Sequence, residues 1–164
     1  MNVQVGDKVP KVVLKYMGSD GPLDVREIST EDLCNGKKVV LFGLPGAYTP
    51  VCSSEHLPGF VEQSRTLKAR GVDNIVCVSA NDPFVMHAWA QDQGAEDDVM
   101  MLSDYKCEFA DSLGLTLDLS DFGLGKRSER FVMVIDDGVI STLNVEESIL
   151  ACNVSSSEAL LSVL

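Results

Sequence analysis

A cysteine at the predicted start of a helix gives this sequence its clearest chemical signal. Cys52 follows Thr49 and Pro50. A Thr-Pro pair favours a helix start, with the threonine as N-cap and the proline as the first helical residue. The first helical turn offers unpaired backbone N–H groups and the positive end of the helix dipole. Because such surroundings favour a thiolate over a thiol, we expect nucleophilic chemistry at Cys52.

Two further side chains have the chemistry to assist a thiolate. The Thr49 hydroxyl lies three residues before the sulfur and can both donate and accept a hydrogen bond. Arg130 stands at the start of a predicted strand, and its permanent charge suits both a thiolate and a bound oxygen. The residue types alone do not separate Arg130 from its neighbours Arg127 and Lys126.

His56 suggests a different chemistry, because it follows Cys52 by four residues, or about one helical turn. A cysteine–histidine pair is typical of hydrolases and transferases with a covalent intermediate. However, a histidine at this spacing points along the helix axis, and no third residue that could orient it is evident. We therefore expect a structural or supporting role for His56.

The elements that would position these residues follow from apolar periodicity and turn signals. Pro58-Gly59 is expected to kink the helix that carries Cys52, and Asp136-Asp137-Gly138 predicts a hairpin. This order predicts an α/β fold in one domain over residues 1–164, with a mixed central sheet flanked by helices, as in thioredoxin-like proteins. The predicted strands are 38–43, 74–80, 99–102, 131–136 and 139–144, and the predicted helices are 50–69, 83–93, 104–114 and 155–164.

Composition excludes several partners. Thirteen basic and 25 acidic residues give a net charge of −12, which argues against binding to nucleic acid or to an anionic membrane. No apolar run reaches the roughly 18 residues of a membrane span, and the N-terminus lacks the features of a signal peptide. We therefore expect a cytoplasmic protein, although an organelle form trimmed of its targeting peptide stays open.

The cysteine pattern is typical of a reducing compartment with one or two working thiols. The count is odd and no CxxC motif occurs, which argues against a disulfide framework and against a zinc site. No metal or cofactor is therefore expected. The five cysteines are Cys34, Cys52, Cys77, Cys107 and Cys152.

The spacing of Pro45, Thr49 and Cys52 resembles the active-site motif of the peroxiredoxins. The longer string PGAYTPVCSSEHLPGF, over residues 45–60, is similar to the type II (fifth-class, atypical) branch in particular. Two downstream strings, VSANDPFV at 78–85 and KRSERF at 126–131, resemble that branch as well. The likeness covers nearly the whole chain and implies the same thioredoxin-like fold.

The resemblance also implies an activity, the reduction of hydrogen peroxide and small alkyl hydroperoxides through a sulfenic acid on Cys52. A thiolate alone would not be fast enough, because nucleophilicity falls as a thiol becomes more acidic. The larger effect must come from groups that bind the two oxygens as their bond breaks. The expected catalytic residues are Cys52, Thr49, Arg130 and Pro45, and the role expected of Pro45 is to shield the sulfur from water. The expected substrate contacts are Gly46, Val51 and Phe122.

The route back to the thiol stays open at this point. Cys152 and Cys77 are candidate resolving cysteines, and glutathione or glutaredoxin could instead reduce the sulfenic acid directly, as the chain's tail favours. Thioredoxin is a further candidate reductant, and the resemblance implies a homodimer. Two other functions are a thioredoxin-type disulfide oxidoreductase, which the missing CxxC disfavours, and a redox sensor on the same fold.

Overall fold

A computed structural model describes residues 1–164 and contains nine strands and six α-helices. The strands are β1 (Val13–Met17), β2 (Val25–Ser29), β3 (Lys38–Gly43), β4 (Asn74–Ser79), β5 (Met100–Ser103), β6 (Thr116–Asp118), β7 (Lys126–Ser128), β8 (Phe131–Asp136) and β9 (Val139–Val145). The helices are α1 (Thr30–Cys34), α2 (Leu57–Glu62), α3 (Ser64–Ala69), α4 (Pro83–Asp92), α5 (Glu108–Leu113) and α6 (Ser157–Leu161).

Seven strands form one mixed sheet in the order β2-β1-β5-β4-β3-β8-β9. The central strands β5, β4 and β3 run parallel, whereas β8 and β9 on one side and β1 and β2 on the other pair antiparallel. β6 and β7 form a separate two-stranded sheet. This architecture confirms the predicted α/β fold with a mixed sheet flanked by helices.

Alternation along the central strands divides the core between the two faces of the sheet. Val40 and Phe42 of β3 belong to a cluster with residues of α2, α3, α4 and α6. Val39 and Leu41 belong to a second cluster on the other face, with residues of α1 and α5. Cys52 lies in the first cluster, so its helix is anchored on the face of the sheet that carries α4.

The helix predicted over 50–69 is not one kinked helix, and in this respect the prediction is wrong. Residues 50 and 51 are helical, a π-helical segment follows at Cys52–His56, and a break at Gln63 separates α2 from α3. In the π-helical segment Leu57 N donates to Cys52 O, five residues back. Pro58 follows directly; it has no N–H and crowds the carbonyl four residues earlier, which favours a locally wider turn.

The elements that the sequence analysis missed are short or lie at the edge of a sheet. β1 has one buried residue, Leu14, and β2 has none, so neither carries a clear apolar pattern. β6 and β7 have three residues each. Two predicted helices, 104–114 and 155–164, are shorter in the structure. The first starts late because residues before Glu108 form a turn, in which the Asp104 carboxylate accepts from Phe109 N and Ala110 N.

One strand pairing decides where the site forms. The last residue of β3, Gly43, pairs with the first residue of β8, Phe131. In an antiparallel pair, the chain that leaves one strand lies beside the chain that enters the other. The loop toward Cys52 and the residue Arg130 therefore emerge at the same edge of the sheet. A side chain on residue 43 could not fit, because its Cβ would lie 2.2 Å from the Phe131 ring.

No helix combines the length and the apolar character needed to cross a lipid bilayer.

Candidate active site

The structure brings Cys52 and Arg130 into direct contact although 78 positions separate them in the chain. Arg130 Nη2 lies 3.3 Å from Cys52 Sγ. Both residues are buried, with 0% of Cys52 and 2% of Arg130 exposed. A hydrogen bond from a guanidinium is stronger to an anionic acceptor than to a neutral one. The geometry therefore suits a thiolate at Cys52.

No carboxylate neutralises the Arg130 guanidinium, since none of the ion pairs in the structure includes it. Its remaining hydrogen bonds go to Ile149 O, at 2.8 Å from Nη2 and 3.3 Å from Nε, and to the imidazole of His56. Burying a charge without a counter-charge is costly. Among the atoms that bond to Arg130, only the Cys52 sulfur can ionise to an anion.

His56 holds the other side of the guanidinium, in keeping with the supporting role expected from the sequence. Its Nδ1 lies 3.0 Å from Arg130 Nη1, and its Nε2 lies 3.0 Å from Ser155 O. Because arginine can only donate, Nδ1 must accept, and the proton therefore sits on Nε2 and is donated to Ser155 O. Burial and the nearby Arg130 charge lower the pKa of His56 to about 3, against the raising effect of the Ser155 carbonyl.

The rings around His56 explain how a histidine can be buried there. Phe42 of β3 stacks on Phe60 of α2 at a centroid distance of 4.2 Å, and its ring lies 4.9 Å from the His56 ring. Phe60 contacts the imidazole from another side at 5.7 Å. The sheet and α2 thus enclose the imidazole ring and leave its two nitrogens to their polar partners.

The loop before Cys52 presents Thr49 in an orientation that differs from the sequence prediction. The Thr49 hydroxyl donates to Gly46 O at 2.6 Å and accepts no backbone N–H of the helix. The expected capping bond is therefore absent. The first N–H of the helix with an acceptor is that of Ser53, to Thr49 O at 3.1 Å, so the N–H groups of Val51 and Cys52 have no partner. They remain free to donate to a ligand.

Pro45 and Gly46 are buried beside these groups, whereas Phe122 is not. Phe122 ends a single 3₁₀ turn, Ser120–Phe122, and is 72% exposed. Tyr48, next to Thr49, has a positive φ of 64°, and its hydroxyl donates to Asp92 at 2.6 Å. The structure thus places five of the predicted residues, from Pro45 through Cys52, in one loop and the helix start that follows it, and leaves Phe122 on the surface.

A segment between β9 and α6, residues 146–156, carries the carbonyls that bind Arg130 and His56; we call it the C-terminal strap. Glu146 fixes its shape, because Oε1 accepts from Asn153 N at 2.6 Å and from Ser155 N and Oγ at 2.9 Å each. Glu146 is 8% exposed, so these bonds replace its water. This carboxylate is a site residue that the sequence does not predict, because nothing in its local pattern indicates a role.

The other cysteines are free thiols, and two of them lie near Arg130. Cys77 is fully buried in β4, and burial raises its pKa well above the usual value, with the Arg130 charge opposing. Cys152 is half-buried in the C-terminal strap, and burial raises its pKa, again with Arg130 opposing. Cys34 ends α1, and Cys107 Sγ contacts Lys126 O at 3.5 Å.

Comparison with known proteins assigns the chain to a family. A profile described as Redoxin matches residues 4–161. Peroxiredoxin-2E of Arabidopsis thaliana, named as chloroplastic, is 47% identical over 99% of this chain and 70% of its own length. Peroxiredoxin-2C of rice is 48% identical over 88% of both chains. Other plant relatives include a Peroxiredoxin-2F named as mitochondrial.

A solved structure agrees with this assignment. Reduced Prx3 of Vibrio vulnificus, determined in complex with hydrogen peroxide, has a TM-score of 0.90 and 42% identity, and the match covers 98% of this chain and 95% of that one. Its likeness and that of the plant proteins support a thiol peroxidase function. With a redoxin profile over residues 4–161 and peroxiredoxin relatives at more than 40% identity, the chain belongs to the redoxin family and, within it, to the type II peroxiredoxins.

Proposed function

We propose that this chain, acting as one domain over residues 1–164, reduces hydrogen peroxide and small alkyl hydroperoxides through a sulfenic acid on Cys52. The observation that carries the proposal is the 3.3 Å contact between Arg130 Nη2 and Cys52 Sγ, with no carboxylate paired to the guanidinium. A donor held at the sulfur also lies near the position that a reacting oxygen would take, where charge develops.

In the proposed step, the Cys52 thiolate attacks one peroxide oxygen with an electron pair of sulfur. A sulfur–oxygen bond forms, the oxygen–oxygen bond breaks, and the distal oxygen leaves as hydroxide or alkoxide, which takes up a proton to become water or alcohol. Sulfur is oxidised by two electrons and the peroxide is reduced by two. Arg130 and the free N–H groups of Val51 and Cys52 are the donors that would stabilise the negative charge.

Thr49 would supply an acceptor to the substrate. Because its own proton is donated to Gly46 O at 2.6 Å, the lone pairs of Oγ1 remain for the O–H of the peroxide. Donors at one side and an acceptor at the other would orient the peroxide for attack. Pro45, buried in the same loop, would keep water from the sulfur, and Gly46 and Val51 would contact the substrate.

Regeneration by an external thiol suits the surroundings of the two candidate resolving cysteines. Cys77 lies within a central strand at 0% exposure, and a disulfide requires Cα atoms within about 7 Å. Cys152 is more accessible, but its strap is bonded to Arg130 and His56 and would have to release them first. We therefore favour glutathione or glutaredoxin, which would form a mixed disulfide with release of water, over thioredoxin acting on an internal disulfide.

Intact mass spectrometry after one equivalent of hydrogen peroxide tests both parts of the proposal. The wild-type chain should gain one oxygen, or one glutathione when that thiol is present, whereas Cys52→Ser should gain neither. Cys107→Ser is the matched control and should behave as the wild type. Equal oxidation of Cys52→Ser would refute the peroxidase proposal.

The same measurement identifies the resolving thiol. An internal disulfide that disappears only in Cys152→Ser would assign Cys152 as the resolving cysteine, and one that disappears only in Cys77→Ser would assign Cys77.

A redox sensor would form the same oxidised products as a peroxidase but would react with peroxide more slowly. Slow oxidation of the wild-type chain by stoichiometric peroxide in a stopped-flow experiment would favour the sensor over the peroxidase.

Two further proposals concern assembly and location. Exposed aromatic rings at Tyr48, Phe84 and Phe122, which are 53%, 46% and 72% exposed, are candidates for a homodimer face. Sedimentation of the wild type and of Phe84→Ser would test this homodimer face, since loss of a dimer in the variant supports it.

We propose a cytoplasmic location, with a trimmed organelle form as the alternative. Fractionation of cells that express the native gene decides between the two locations.

A further inference from the structure

Two residues outside the site converge on the loop that precedes Cys52. Asn81 follows the end of β4, and Arg127 is the middle residue of β7. Arg127 Nη1 donates to Pro45 O at 3.0 Å, and its Nε donates to Leu124 O at 3.0 Å. The guanidinium therefore ties the loop to the turn before β7. Like Arg130, it takes part in none of the ion pairs.

Asn81 binds the same loop from the other side of Gly46. Its Oδ1 accepts from Ala47 N at 2.8 Å, from Ser79 Oγ at 2.8 Å and from Arg127 Nη1 at 3.4 Å. The backbone N–H and the guanidinium can only donate, so the atom that faces them is the amide oxygen. Pro45 O and Ala47 N are thus each held by a partly buried side chain of a different element.

Gly46, between these two anchors, orients Thr49. Its carbonyl accepts the Thr49 hydroxyl proton at 2.6 Å. A Cβ at position 46 would lie 2.6 Å from Arg127 Nη1, so the guanidinium can pack over the loop only because residue 46 is glycine. The Gly46 carbonyl belongs to the same peptide group as the Ala47 N–H, which donates to Asn81, and the preceding peptide group is held by Arg127 at Pro45 O. The direction of the Thr49 O–H bond therefore depends on how these two side chains hold the two peptide groups around Gly46.

We propose that Arg127 and Asn81 are positioning residues that fix the Gly46 carbonyl and thereby turn the lone pairs of Thr49 Oγ1 toward the peroxide. The inference rests on the proposed peroxidase function. It assigns these residues no contact with the substrate or the sulfur. Their effect on Cys52 should therefore be specific to a substrate that needs the Thr49 acceptor.

Comparison of two reagents for Cys52 tests this specificity. Iodoacetamide alkylates the thiolate and has no O–H to donate to Thr49, whereas hydrogen peroxide does. In Arg127→Met, we expect oxidation by peroxide to slow by about 10- to 100-fold, because small misplacements of a positioning group carry penalties of this order. Alkylation should change by less than about twofold, since the reagent bypasses that group. Equal slowing of both reactions would overturn the proposal.

A control variant at Lys126 and a pair of variants at Asn81 complete this test. Lys126→Met removes the neighbouring charge, which pairs with Asp111 and not with the loop, and should leave both rates unchanged. Asn81→Asp keeps the acceptor oxygen and should retain most of the peroxide rate, whereas Asn81→Leu should lose it as Arg127→Met does. This pair keeps the inference falsifiable if Arg127→Met fails to fold.

A double-mutant cycle with Thr49 gives the sharpest result. If Arg127 acts through the Thr49 hydroxyl, Arg127→Met should cause little further loss of peroxide rate in a Thr49→Val background. Losses that multiply would overturn the inference. The failure of the peroxidase function itself looks different, because the wild-type chain would then show no rapid oxidation at all.

Discussion

Two arginines in different parts of the sheet, Arg26 and Arg130, differ in their burial and in the partners of their guanidinium groups. Arg26, on the edge strand β2, is exposed and bonds to two carboxylates, with its Nη2 at 2.8 Å from Asp24 and 3.0 Å from Asp20. This contact lowers the pKa of Asp24. Arg130, at the start of β8, is buried and has only carbonyl, imidazole and sulfur partners.

The difference is informative because the chain has 25 acidic residues and only 13 basic ones. Carboxylates are abundant, yet none pairs with the buried guanidinium of Arg130, although burying an unpaired charge is costly. At the edge strand, the ion pairs are screened by water and contribute little. At the site, the missing counter-charge leaves the sulfur as the one group that can supply it. An uncompensated buried guanidinium thus indicates function, whereas a paired surface one does not.

Removal of the buried guanidinium should give the largest effect. In Arg130→Met, we expect turnover of hydrogen peroxide, measured with saturating dithiothreitol, to fall by about 100- to 1,000-fold, the usual loss for one donor to a developing oxyanion. Arg26→Met, the matched control, should keep wild-type turnover. Similar losses in both variants would mean that the comparison between the two arginines has no catalytic meaning.

Removal of the imidazole that holds Arg130 should have a smaller effect. His56→Leu loses the Nδ1 acceptor, and we expect the peroxide rate to fall about tenfold, since a hydrogen bond to a charged group contributes about 1.5 kcal/mol. His56→Asn keeps an acceptor near Nδ1 and should recover part of the rate. If the two variants were equally active, the bond to Arg130 would not be the reason for the loss.

His56 also predicts a pH dependence of stability. Its folded-state pKa is about 3, against an ordinary value of 6.5, so between these pH values only the unfolded chain binds the proton. The free energy of unfolding should therefore decrease as the pH is lowered from about 6.5 toward 3, by at most about 1.4 kcal/mol per pH unit from this group. Urea titrations followed by the fluorescence of Trp89, the only tryptophan, measure it.

The control for this prediction is the other histidine, His87 on α4. His56→Asn should remove the His56 contribution from the slope of stability against pH, whereas His87→Asn should retain that contribution. A slope that is unchanged in His56→Asn would contradict a neutral, buried imidazole in the folded state.

Loosening the C-terminal strap should give the smallest of these effects on rate. Glu146→Ala removes the acceptor of three hydrogen bonds, and the strap holds Arg130 only through Ile149 O and His56 only through Ser155 O. We expect a loss of about 2 kcal/mol in the free energy of unfolding and a peroxide rate lower by only a few-fold. Glu146→Gln, which keeps an acceptor oxygen, should lie nearer the wild type in both measurements.

The sequence predicts the local parts of the site better than the long-range ones. The helix that carries Cys52 begins at Pro50, as predicted, although Thr49 does not cap it, and the strands 38–43 and 131–136 coincide with β3 and β8. That Arg130 meets Cys52 depends on the pairing of Gly43 with Phe131, which no local pattern specifies. Only the resemblance to the peroxiredoxins selected that arginine.

Other features depend on contacts that periodicity does not reveal. The π-helical segment arises next to Pro58, but its hydrogen bonding depends on how the helix packs on the sheet. The Thr49 hydroxyl donates to Gly46 O rather than capping the helix, because the loop is held by Asn81 and Arg127 from other elements. The sequence does not predict the role of Glu146 or of the C-terminal strap, because no local pattern distinguishes a buried glutamate from an exposed one.

The joint action of Arg130 and Cys52 is tested most directly by a stopped-flow comparison of two reactions of Cys52, one with hydrogen peroxide and one with iodoacetamide, in the wild type and in Arg130→Met. If the guanidinium binds the reacting oxygens, the peroxide rate should fall by about 100-fold or more while alkylation falls by about tenfold or less. A peroxide rate that is unchanged, or that falls only as much as alkylation does, would contradict the claim that Arg130 and Cys52 together split the oxygen–oxygen bond.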